Sequence, residues 1–188
     1  MKDNLVLSSL QERIKDDEPK LLDHMIEEFS CARDPDVEAF LKEKAVPYER
    51  SGVSRTYFYT MEEDKPCIVA FFAVAITSTG FERVTKSRKA KILGGKPGRD
   101  TKDHFGGILI AQLARCDDYS TEDINGKEML FDAEKIIERG RYFLGGKVIY
   151  LDCRKSLIEF YEENGYSQMS DDPYSHDLYK MFKGLPKI

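Results

Sequence analysis

Ten consecutive residues, Cys67-Ile-Val-Ala-Phe-Phe-Ala-Val-Ala-Ile76, carry no charged or hydroxyl side chain. A bilayer-spanning helix needs about 20 such residues. A run this short, rich in β-branched and aromatic residues, reads as a strand buried on both faces inside a sheet that helices cover. The rest of the chain can supply that cover. Of its 188 residues, 41% are apolar and 34% charged, enough for one core beneath a charged surface. No repeat, linker or low-complexity tract divides it, so a single domain over 1–188 is expected. The N-terminal ten residues lack a basic start and a long apolar stretch, so no secretion signal is read. Cys31, Cys67, Cys116 and Cys153 are widely spaced, with no Cys-x-x-Cys and no neighbouring histidine cluster. They read as reduced thiols of a cytoplasmic protein and not as a metal site.

Helical spacing of Leu21, Leu22, Met25, Ile26 and Phe29 predicts a helix over 17–29. Asp34-Pro35 opens a second helix, with Asp34 as N-cap, an apolar stripe of Val37, Phe40, Leu41 and Ala45, and Pro47 as its limit. Strands follow at 55–61, from Cys67 to Thr77, and at 107–114. A helix starts at Gly126 and ends near Gly140 or, at the latest, Gly145-Gly146. A strand spans 147–152. Ser156 and Glu159 form a capping-box pattern that opens a further helix, stopped at Gly165. Two last strands cover 166–169 and 177–182. The order helix, helix, three strands, helix, strand, helix, two strands gives a mixed α/β (α+β) domain around one sheet.

Charge is uneven. Residues 83–102 hold eight Lys or Arg and one acid, a local +7 in a chain of net −5. Such a segment is a solvated loop or a steering patch for a polyanion.

Two strand-to-helix transitions can carry chemistry. The first, Leu113 to Leu130, leads through a polar turn to a helix N-terminus, where amides and the helix dipole can hold a phosphate. It contains one glycine, Gly126, where tight phosphate loops use several. The second, Tyr150 to Tyr166, places Tyr161 on one helix face with Leu157 and Ile158. An isolated tyrosine there reads as a core residue.

Phe160-Tyr-Glu-Glu-Asn-Gly-Tyr166 after the strand at 147–152 resembles motif B of the GNAT family of N-acetyltransferases. Gln112-Leu-Ala114 through Leu130 is similar to its motif A, the fourth strand, pyrophosphate loop and following helix. Phe29-Ser-Cys-Ala-Arg-Asp-Pro-Asp-Val-Glu-Ala-Phe-Leu41 and Ser51-Gly-Val-Ser-Arg-Thr-Tyr57 resemble stretches of one branch, the acetyltransferase toxins of bacterial toxin–antitoxin pairs. The resemblance covers 29 to about 182 and leaves 1–28 as a helical extension. The family's loop has Gln or Arg, then two residues, Gly, one residue, and Gly or Ala. Thr121, Ile124 and Gly126 fall on those three positions, and only Gly126 matches.

The resemblance implies a mostly antiparallel sheet splayed between strands 4 and 5, with helices on both faces. It implies acetyl transfer from acetyl-CoA, the cosubstrate, to a primary amine by direct attack. Backbone amides of Leu113, Ala114 and Arg115 would receive the thioester and pantetheine. Thr121, Ile124, Asn125, Gly126 and Lys127 would form the pyrophosphate site, with Lys127 supplying charge. Tyr161 would protonate the leaving thiolate. The toxin branch further implies aminoacyl-tRNA as acceptor, met by the basic segment 83–102, together with an antitoxin partner and a homodimer. Two other readings stay open: the same chemistry on a small-molecule or protein amine, and a binding module whose cofactor loop has decayed. No carboxylate can be named as a base.

Overall fold

The computed structural model describes residues 4–15, 19–61, 65–94 and 101–186. The elements, in order, are strand β1 (Leu5–Ser9), helices α1 (Leu10–Lys15), α2 (Pro19–Glu28) and α3 (Pro35–Ala39), a π turn over Phe40–Lys44, and α4 (Ala45–Ser51). Then come β2 (Arg55–Met61), β3 (Cys67–Gly80), α5 (Lys86–Leu93), β4 (His104–Arg115) and α6 (Gly126–Leu144). The chain finishes with β5 (Val148–Arg154), a 3₁₀ turn over Lys155–Leu157, α7 (Ile158–Glu163), β6 (Ser167–Gln168) and β7 (Leu178–Gly184). The seven strands run in the order β1-β2-β3-β4-β5-β7-β6, antiparallel in every described pairing except the parallel β4–β5. This is the mixed α/β sheet that the sequence predicts.

The chain forms two compact units, which share β3, β4 and α6. One comprises residues 1–75 and 111–136. Its core joins Leu22, Met25, Ile26 and Phe29 of the first helices to Phe40, Leu41, Phe58, Phe71 and Ala73. Phe29 meets Phe71 edge-on at 5.3 Å between ring centroids. Side chains alternate along β2, so Tyr59 faces away from that cluster. Its hydroxyl donates to Asp132 of α6 at 2.9 Å, which puts a helix on each face here. The other unit comprises 76–110 and 137–188. Its core gathers Phe81, Ile92, Leu93, Phe105, Val148, Tyr150, Met169 and Phe182.

Four features depart from the expectations above. Residues 5–9, assigned to a helical extension, form an edge strand on β2 with Leu5 opposite Met61. The chain then turns into α1 through a reciprocal cap: Ser9 N–H donates to Glu12 Oε2 at 2.9 Å and Glu12 N–H to Ser9 Oγ at 3.2 Å. Pro47 does not end the second helix, which continues to Ser51. A proline ring clashes with the carbonyl four residues back, here Glu43, and that residue lies in the wider π turn. Gly52, at φ +74°, closes the helix instead. The basic segment is not a loop throughout: Thr85 caps α5, which buries Ile92 and Leu93. Residues 95–100 of that segment lie outside the described residues. Ser156 and Glu159 form no capping box, because a 3₁₀ turn occupies 155–157 and α7 starts only at Ile158.

Candidate active site

The site is built from two stretches of backbone and the side chains that fix them. The parallel register of β4 and β5 is Ile108↔Ile149 and Leu109↔Tyr150, and among the described residues it goes no further. Both strands continue beyond it, to Arg115 and Arg154. Past Leu109, β4 keeps its partner on the other side, where Cys116 N–H donates to the Val69 carbonyl at 2.9 Å. Amides alternate along a strand. Ala114 therefore shares the side of Cys116, and Leu113 and Arg115 present their N–H groups to the opposite edge.

The turn from β4 to α6 is held from within. The Arg115 guanidinium donates from Nε to the Tyr119 carbonyl at 3.0 Å and from Nη1 to the Ile124 carbonyl at 2.8 Å. Burial holds its pKa below the usual arginine value. Its own carbonyl accepts from Arg33 Nη2 at 2.6 Å. Asp117 anchors the same turn, accepting from Ala32 N–H at 2.6 Å and from Arg33 Nε at 3.1 Å. Asp123 accepts from the amide and hydroxyl of Ser120 at 2.8 and 3.0 Å, and the first of these bonds leads in lowering its pKa.

The 19-residue helix α6 begins with a capping box. Asn125 Oδ1 accepts from Glu128 N–H at 2.9 Å, and Glu128 Oε2 accepts from Asn125 N–H at 3.2 Å. The amides of Gly126 and Lys127 take no hydrogen bond among the described residues. They form the open, positive end of the helix dipole. Of the five loop positions expected to meet pyrophosphate, these two offer free amides at the helix start. Thr121 is exposed in the turn, Ile124 is 2% exposed with its carbonyl engaged by Arg115, and Asn125 is spent as the cap. The Asn-x-x-Glu spacing at 125–128 was the readable signal for that cap.

Tyr161 lies on α7, 7% exposed, edge-on to Phe160 at 5.0 Å and to Tyr166 at 5.7 Å. Its hydroxyl takes no hydrogen bond among the described residues. Burial, and secondarily Cys153, raise its pKa above the ordinary tyrosine value, so it holds its proton at neutral pH. Burial likewise pushes the Cys153 thiol up to about 11. The structure adds a pair that sequence reasoning missed: the Tyr174 hydroxyl donates to Asp152 Oδ2 at 2.8 Å. No sequence spacing links a residue of β5 to one in the turn before β7.

The unit that holds residues 111–136 offers an open strand edge and a helix start with two free amides, and the other unit holds the protonated phenol of Tyr161. No group of three or more His, Cys, Asp or Glu side chains suited to a metal ion occurs among the described residues. No described helix is long and apolar enough to cross a membrane. No protein-family model and no curated protein matches the sequence. Solved structures do match the fold. A tyrosine-to-phenylalanine mutant of KacT superposes with a TM-score of 0.72 at 13% identity, over 96% of this chain and 95% of that one. AtaT complexed with acetyl-methionyl-tRNAfMet gives 0.70 at 13% identity, over 97% and 94%. A tyrosine-to-phenylalanine mutant of the AtaT toxin, bound to the C-terminus of the antitoxin AtaR and acetyl-CoA, gives 0.66 at 13% identity, over 97% and 94%. The chain thus has the GNAT fold of these toxins, at low sequence identity.

Proposed function

We propose that this chain is an acetyl-CoA-dependent N-acetyltransferase that modifies the α-amine of an aminoacyl-tRNA, as the toxin of a pair that an antitoxin protein restrains. One observation carries the reading: the described β4–β5 pairing stops after two residue pairs, in a fold shared with a toxin solved beside an acetylated aminoacyl-tRNA. The antitoxin and the cosubstrate come by analogy with the AtaT complex.

In this reading the Leu113 and Arg115 amides receive the thioester and the pantetheine arm. An amide aimed at the developing oxyanion contributes about 3–4 kcal/mol. The Gly126 and Lys127 amides, with the exposed Lys127 ammonium, take the pyrophosphate in place of the family's glycine-rich loop. Tyr161 keeps its proton until the sulfur departs and then supplies it. An α-amine, with a pKa of about 7.7–8, is far closer to neutrality at pH 7 than a lysine at about 10.4, and is the easier nucleophile. On the other unit, Lys86, Lys89 and Lys102 line a cavity of about 400 Å³ beside Phe81, with Lys89 4.9 Å from that ring. Phe81 is a core residue and Lys89 also donates to the Lys102 carbonyl, so what this cavity offers a polyanion is local positive charge.

One observation favours the alternative acceptor, a small-molecule or protein amine. Arg83, Arg88 and Lys91 of the basic segment are engaged within the fold, by the Pro173 carbonyl at 2.8 Å, Asp171 at 2.5 Å and Ser167 at 3.0 Å. The test is transfer from acetyl-labelled CoA to charged tRNA at low salt, beside deacylated tRNA and a panel of simple amines. N-acetyl-aminoacyl-adenosine after nuclease digestion, falling steeply with salt, is the expected product. Label on simple amines alone removes the tRNA acceptor. No label on any acceptor removes the transferase.

A further inference from the structure

The proposed function leaves one step without an agent: the acceptor amine arrives as an ammonium and must lose a proton before it attacks. Asp152 is placed for that step. It lies on β5 two residues past Tyr150, the last described partner of β4. From there β5 is paired on its other side only, with Asp152 opposite Lys180 of β7. Side chains alternate, so Asp152 shares a face with Tyr150 and lies opposite Cys153, the neighbour that acts on Tyr161. Donor and acceptor of protons thus flank β5 from its two faces.

The carboxylate is oriented but not neutralised. Tyr174 holds Oδ2 by its 2.8 Å hydrogen bond, which leaves Oδ1 without a protein partner among the described residues. Lys180, the ladder neighbour, forms no ion pair with it there. Its ammonium lies over the Tyr174 ring instead, 4.3 Å from the centroid. The groups that face Asp152 are therefore Tyr174, Lys180 of β7 and Tyr150 of its own strand, while Cys153 adjoins it from the opposite face. The carboxyl is exposed at the surface, and the protein crowded around it still raises its pKa by partial desolvation, a rise that the Tyr174 hydrogen bond and the Lys180 charge offset in part. An unpaired anion with one open oxygen attracts a primary ammonium, and a raised pKa makes it a better proton acceptor.

We propose that Asp152 is a catalytic residue that receives the acceptor's ammonium group and accepts its proton, with Tyr174 positioning the carboxylate. This rests on the acetyltransferase reading. One N–H proton passes to an Asp152 oxygen and later to water. The amine lone pair forms the C–N bond as the thioester C–S bond breaks. The second N–H proton balances the one that Tyr161 gives to the thiolate.

The test is the pH profile of kcat/KM for aminoacyl-tRNA acetylation by wild type and Asp152→Asn. Asparagine keeps the shape and still accepts from Tyr174. Without a base the rate follows the neutral fraction of an amine with a pKa of about 8, about 3% at pH 6.5 and about 75% at pH 8.5. The expected deficit is therefore about twentyfold or more at pH 6.5, shrinking to within about threefold at pH 8.5. Tyr174→Phe should move the acid limb of the profile to higher pH. A wild-type to Asp152→Asn ratio that stays constant with pH overturns the proposal and leaves the transferase standing. A wild type inactive at every pH overturns both. If Asp152→Asn does not fold, an acid limb that Tyr174→Phe leaves in place overturns the proposal by itself.

Discussion

Replacing Arg115 by methionine should loosen the β4–α6 turn and weaken acetyl-CoA binding together. Methionine keeps an unbranched apolar stem and removes both donors. Two carbonyls, of Tyr119 and Ile124, lose partners at 3.0 and 2.8 Å. Hydrogen bonds from a charged donor contribute about 1.5–3 kcal/mol each, and at this half-buried position water replaces part of that, which leaves a cost of about 3 kcal/mol for the pair. For a chain of this length each kcal/mol moves Tm by about 2–4 °C, so the variant should melt about 6–12 °C lower. The same two bonds set where the chain enters α6, so the Gly126 and Lys127 amides lose their fixed direction. Calorimetric melting and acetyl-CoA titration measure the two effects, with Arg115→Lys as the intermediate case. A methionine variant with unchanged Tm and unchanged acetyl-CoA affinity would refute the reasoning.

Tyr161→Phe should lower kcat by about a hundredfold or more while acetyl-CoA affinity holds, because only the proton donor is lost; equal turnover in steady-state assays would show that the hydroxyl is not the acid. Glu128→Gln keeps the capping geometry but removes a negative charge from the start of α6. It should tighten acetyl-CoA binding by about threefold in titration calorimetry, and weaker binding would count against a pyrophosphate there. Acid should destabilise the fold through Glu12, Glu38, Asp123 and Asp171. Their pKa values are held down chiefly by the Ser9 amide, the Lys42 ammonium, the Ser120 amide and the Arg88 guanidinium. Each folded value lies below its unfolded value of about 3.9–4.3, so their contribution is present above that range and lost as pH falls through the folded values. Urea midpoints should drop between pH 5 and pH 3, and Arg88→Met should flatten that drop by removing the Asp171 share.

The parts of the fold legible in the sequence are those whose side-chain pattern matches their burial. The apolar run at 67–76 is a central strand because both faces of its middle, residues 68–74, are covered, while Ile76 at its end is exposed. The stripe through Leu22, Met25 and Ile26 is a helix because one face is buried. β1 was hidden: its five residues are all exposed or half-buried, so no alternation marks it. The Ser9-x-x-Glu12 cap just after it was visible and unused. Pro47 misled because a π turn lies outside the helical period on which the reading relied. Charge misled at 83–102, where Ile92 and Leu93 anchor a helix despite the lysines around them.

The site was legible only in outline. Motif resemblance points to Tyr161 and to the strand–turn–helix because each lies in one contiguous stretch of sequence. Arg115 was read for its backbone, and its side chain turned out to organise the loop. Asn125, expected at the pyrophosphate, also caps α6 with its side chain. Asp152 and Tyr174 meet only because β5 and β7 pair, and no local pattern announces a contact made by sheet topology.

The central claim is that an unpaired edge of β4 and the first amides of α6 bind acetyl-CoA. Isothermal titration of the purified protein with acetyl-CoA tests it most directly. The account predicts saturable binding at one site per chain, weakened by Arg115→Met. No heat of binding at millimolar acetyl-CoA, from a protein shown to be folded by its melting transition, would contradict it.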